Sequence, residues 1–129
     1  MKFWIGFAVS VLAWSQDTIS SATWKAHLEG DLMRFWSMPE ALGNPVGQFP
    51  TTRCNDGRNL DFARPCPEIA GNAWLLTPER YMVAQSRQTY AYCLAFHMSG
   101  EPRYWNWCRA GANAIRSAWI EAESRVVFT

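Results

Sequence analysis

Histidine is scarce in this sequence: His27 and His97 are the only two in 129 residues. Proton transfer near neutral pH most often relies on histidine, so a mechanism that needs a histidine pair finds little material here. Zinc signatures are missing as well. The position four residues beyond His27 is Asp31, not a second histidine, and no CxxC or HExxH spacing occurs. These absences predict no metal and no cofactor. An excess of one charge is also missing. Twelve lysines and arginines face eleven aspartates and glutamates, a net charge of +1. That leaves no electrostatic footprint for nucleic acid or an anionic membrane. Long apolar runs are absent apart from Phe3 to Trp14, which is too short to cross a bilayer comfortably.

That run fits the hydrophobic region of a secretory signal. Lys2 supplies the positive start, and Ala13-Trp14-Ser15 and Ser20-Ser21-Ala22 offer small residues for cleavage. Residues 1–22 are therefore read as an export signal and 23–129 as the mature chain. The product is periplasmic or secreted, with no membrane contact after cleavage. What the chain has in excess is aromatic side chains, above all eight tryptophans. They serve either as core or as platforms on which the C–H face of a sugar ring packs.

The mature chain opens with a helical pattern over 23–42, in which Trp24, Leu28, Leu32, Phe35 and Trp36 recur at helical spacing. Ser20, Ser21 or Thr23 can cap its start. Pro39 ends it or restarts a last turn. From Gly43 to Glu79, glycine and proline recur too often for a long helix. Gln48 to Arg53 suits a short strand, and Asn55-Asp56-Gly57 predicts the turn of a small β-hairpin. Cys54 and Cys66 fall in this loop. In an exported chain they are disulfide candidates, whereas Cys93 and Cys108 read as small, unpaired core residues.

Tyr81 to Trp119 organises the rest. Two helices flank Ser99-Gly100-Glu101-Pro102, where glycine closes one helix and acid and proline open the next. The first is apolar on nearly every side, which predicts burial all round. Arg87 interrupts it. A guanidinium keeps its charge, so Arg87 either meets an internal carboxylate or faces a polar cavity. The second helix is amphipathic. Tyr104, Cys108, Gly111, Ile115 and Trp119 share one face, and Arg103, Asn106, Arg109, Asn113 and Arg116 lie on or near the other.

The ordered set Phe35-Trp36, Gly47-Gln48-Phe49, Asn55-Asp56-Gly57, Gln85 to Tyr92 and His97 to Tyr104 resembles the N-terminal part of the N-acylglucosamine 2-epimerase and sugar isomerase family. The resemblance runs from about Trp24 to Trp119. It implies an all-α fold, a partial (α/α)6 barrel holding only the first helical hairpins, with the long loop at its mouth. It also implies epimerisation or aldose–ketose isomerisation through an enediolate. Arg87 matches the family's sugar-binding arginine, and Tyr90, three residues on, is expected to line the same cavity. The family's catalytic histidines come from the C-terminal half of the barrel, and neither His27 nor His97 matches them. The expectation is therefore an N-terminal part of such an enzyme, inactive alone. Its partner would be a monosaccharide or small oligosaccharide, and its pattern is compatible with an oligomer.

Two other functions compete. A glycoside or uronyl hydrolase on the same toroid needs paired carboxylates. Asp31, Asp56, Asp61, Glu68 and Glu79 are available, but no spacing singles out a pair. A non-catalytic exported module would bind sugar through its aromatics alone.

Overall fold

The computed structural model of the protein describes residues 20–76, 78–120 and 125–126. Apart from residues 20–22, the expected export segment lies outside this range. The described chain is mostly helical. Helix α1 (Ser21–His27) starts where Ser20 caps it, its hydroxyl accepting from the Thr23 amide at 3.1 Å. A five-residue π turn (Leu28–Leu32) then carries the chain into α2 (Met33–Trp36). A π turn holds one residue more than an α turn and rotates everything beyond it. The expected stripe of Trp24, Leu28 and Leu32 is re-phased accordingly. Leu32 and Trp24 are exposed, and Met33 is the buried residue. After a break, Pro39 sits at the first position of α3 (Pro39–Leu42).

The loop that follows contains one turn of helix, α4 (Pro67–Ala70), and a 3-10 turn (Ala73–Leu75). The expected β-hairpin reduces to a single antiparallel bridge, Arg53 to Asn59, and no strand runs from Gln48 to Arg53. Prolines at 45 and 50 and the satellite core explain why. Here the Cys54–Cys66 disulfide packs with Ile69, Leu60, Leu75 and Leu76, so side-chain packing and a cross-link replace a ladder.

Helices α5 (Met82–Ser99) and α6 (Pro102–Ser117) form the main pair. Gly100 adopts the left-handed conformation (φ 75°) that ends α5, and Pro102 opens α6, as the turn residues predict. Their shared core joins Tyr92 and Ala95 to Tyr104 and Cys108, with Phe49 and Met33 added from the N-terminal segment. Gly111 lets the elements close. A Cβ there would stand 2.3 Å from Thr89 Oγ1 and 2.6 Å from a Phe49 ring carbon. The arginines and asparagines expected on the outer face of α6 are all exposed. Beyond it, β1 (Trp119–Ile120) pairs antiparallel with β2 (Arg125–Val126), Trp119 opposite Val126 and Ile120 opposite Arg125. Trp119 thus falls outside the helix.

Two expectations are corrected here. Cys93 and Cys108 are not free: they are bonded to each other across α5 and α6, with Cα atoms 5.0 Å apart. Buried cysteines on facing helices can pair wherever the backbones approach this closely, which spacing along the chain does not reveal. Nor is α5 buried all round. Val83, Tyr90, Leu94 and Met98 are exposed, Tyr90 at 68%, because α6 and the N-terminal segment cover only part of the helix.

Candidate functional site

A cavity of about 450 Å³ opens between the three segments that meet on α5. Met33, Phe35 and Trp36 contribute from α2, and Pro50, Thr51 and Arg53 from the loop. Ala84, Arg87, Gln88, Ala91 and Tyr92 contribute from α5. The wall is largely carbon, with a few polar groups, as small-molecule sites tend to be. Among the described residues, no aspartate or glutamate lines it.

The scaffold behind the cavity is a set of buried amides. Gln85 accepts from the Phe49 amide at 3.0 Å and donates to the Gly47 carbonyl at 2.7 Å. Gln88 donates to the Ala41 carbonyl at 2.6 Å and to the Tyr92 hydroxyl at 2.9 Å. The Tyr92 hydroxyl in turn donates to the Trp36 carbonyl at 2.7 Å. Buried polar groups so tied fix one arrangement of loop and helix. Burial raises the Tyr92 phenol to about 12, against the weaker opposing pull of its Gln88 hydrogen bond and of Arg53. It remains a neutral donor.

Two arginines face the cavity. Arg53 donates to the carbonyls of Gly57 (2.8 Å) and Phe35 (3.3 Å). Its guanidinium lies over the Phe35 ring, 4.1 Å from the centroid, and 5.1 Å from that of Trp36. Burial pulls its pKa down, more than the Tyr92 hydroxyl and Glu40 raise it. Arg87 is exposed, and no carboxylate among the described residues pairs with it. Both alternatives raised by the sequence assumed a buried Arg87; it is instead exposed at the edge of a largely apolar cavity, so neither holds as stated.

Tyr90 does not line this cavity, contrary to expectation. Three residues advance a helix by about 300°. Tyr90 therefore falls on the flank of Arg87 opposite Ala84, Gln88 and Ala91, and its ring points to solvent. The histidines are elsewhere: His27 bonds Asp31 at 2.8 Å on an exposed turn, and His97 is exposed near the end of α5. Among the tryptophans whose side chains are described, none is buried and only Trp36 reaches the cavity. Trp107 packs against the main core beside Tyr92 and Tyr104, whereas Trp24, Trp36, Trp74 and Trp105 are exposed and the core reading fails for them.

A second, more polar hollow of about 510 Å³ lies across Pro50 and Thr51, and Glu40 and Glu79 line it. The other acids are engaged locally. Asp31 meets His27, Asp56 meets Arg58, Asp61 meets Arg64, and Glu68 accepts from the Asn55 amide. Asp56 and Glu68 are both held below the usual carboxylate range, chiefly by backbone amide donors. A hydrolase's general acid needs the opposite shift. Cys54, Cys66 and Glu68 cluster closely enough to suggest a metal site, but the two sulfurs are spent on each other.

Arg53, Gln85 and Gln88 were not legible as site residues. Two glutamines three apart in an otherwise apolar helix were the available signal. Arg53 had none. Compared with family models, curated proteins and solved structures, the chain matches none.

Proposed function

We propose that the cavity beside Arg87 binds a sugar, and that the chain is the N-terminal, sugar-gripping part of an exported (α/α)6-barrel carbohydrate epimerase or aldose–ketose isomerase. The observation that carries this reading is Arg87, a guanidinium with no carboxylate partner among the described residues, at a cavity bordered by Phe35 and Trp36. Aromatic rings accept the C–H face of a sugar, and a guanidinium donates to its oxygens. In such reactions the proton alpha to a carbonyl is removed and negative charge grows on the neighbouring oxygen. A cation beside an apolar wall can stabilise that charge. Helices α5 and α6 would be one hairpin of the barrel, and the groups that move the proton would come from outside the described residues.

Export is supported by the pairing of all four cysteines, since disulfides persist in oxidising compartments. Saturation-transfer NMR with mannose, glucose, fructose and N-acetylmannosamine tests the binding. Binding to the wild type that Arg87→Ala abolishes is expected, without interconversion of the sugars. Turnover by the pure chain would refute the assignment of proton transfer to other residues. No contact with any sugar would end the reading.

A further inference from the structure

Resting on that reading of the cavity, we infer that its ligand is an acidic sugar, one that carries a carboxylate or phosphate in its resting state, and that Arg53 joins Arg87 in selecting it. The argument is one of charge. Two guanidinium groups line one largely apolar cavity, and among the described residues no aspartate or glutamate lines it. None of the ion pairs among the described residues involves either arginine. Arg53 satisfies some of its donors on neutral carbonyls and ring faces. Those contacts hold the group in place without cancelling its charge. Glu40 belongs to the hollow across Pro50 and Thr51, and its influence on Arg53 is the smallest of those acting there.

Arg53 is half-buried on neutral partners and Arg87 lies exposed at the cavity's edge, and a guanidinium fits a carboxylate or phosphate through parallel hydrogen bonds. A neutral sugar would leave both charges unmatched. An acidic one answers them while its ring packs against Phe35 and Trp36. The growing charge of an enediolate needs one cation, so the second arginine has no work to do on a neutral substrate.

Titrating the full, oxidised chain with glucose, glucuronate and glucose 6-phosphate at low ionic strength tests this. At least one acid should bind about tenfold tighter than glucose, as a charge-assisted pair requires, and added salt should erode that advantage. Preference for glucuronate assigns a carboxylate, and preference for glucose 6-phosphate a phosphate. Arg87→Gln should remove the preference, and Arg87→Lys should keep most of it. Arg53→Gln risks loosening the loop that Arg53 ties to Phe35. Arg53→Lys keeps the charge and should keep most of the preference, whereas Arg53→Gln, read only if its melting temperature is unchanged, should weaken the acid more than glucose. Equal affinity for all three sugars overturns the inference and leaves the sugar site standing. Failure of all three to bind overturns both.

Discussion

Arg87 and Gln85 stand two residues apart on one helix and should differ sharply in what their removal costs. Arg87 is exposed and unpaired among the described residues, whereas Gln85 is 1% exposed and holds the Phe49 amide and the Gly47 carbonyl. Arg87→Ala should change unfolding free energy by no more than about 0.5 kcal/mol. Gln85→Ala strands buried donors and acceptors and should cost about 2–4 kcal/mol. Urea melts of the two variants decide it, and equal losses would return Arg87 to a structural ion pair. Tyr92 gives a pH test. Its pKa is raised from 10.0 to about 12 by burial. The protonated phenol is common to both states below pH 10, so its contribution is fully present there. Above that the unfolded chain loses the proton first, and stability falls as pH rises toward 12, by on the order of 2 kcal/mol. A spectrophotometric titration at the phenolate band should show a late ionisation that Tyr92→Phe removes. A lone arginine in an apolar helix was readable from sequence. Its partner Arg53 was not, because it comes from a loop whose position depends on contacts far along the chain, such as that of Phe49 with Gln85, 36 residues on.

Elements were legible where local chemistry decides them. Ser20, Gly100 and Pro102 mark helix ends by their own backbone preferences, and each does so in the fold. The π turn at Leu28–Leu32 was not legible, since periodicity assumes a constant turn and one added residue re-phases it. The Cys93–Cys108 bond was missed for a related reason: it depends on which faces of α5 and α6 meet. Its consequence is measurable. A bond closing 15 residues contributes about 3 kcal/mol. The paired variant Cys93→Ala/Cys108→Ala should therefore melt well below the parent, with the α5–α6 hairpin losing amide protection first. Non-reducing peptide mapping should recover Cys54 with Cys66 and Cys93 with Cys108. Free thiols at 93 and 108 in air-oxidised protein would contradict the packing.

At the scale of the molecule, two cores of unequal size share one loop, and each contains a disulfide. An apolar helix with unpaired flanks beside a long loop would by itself suggest a marginal or molten species. The second bond and the buried amides argue for a fixed interior. The surface argues differently. Val83, Tyr90, Leu94 and Met98 recur along α5 and are all exposed, and Trp105 is exposed on α6. An apolar stripe of that kind in water marks a missing neighbour or an association liability. A packed interior with such a stripe predicts self-association of folded chains, without loss of structure. Sedimentation velocity over a wide concentration range should show reversible growth in mass, with near-ultraviolet dichroism unchanged. Leu94→Lys places a charge on the stripe, at a side chain already 41% exposed. It should shift the population to monomer at little cost in melting temperature. A wild type that stays monomeric throughout would show that the stripe is tolerated. Growth accompanied by dye binding and lost aromatic dichroism would restore the molten reading.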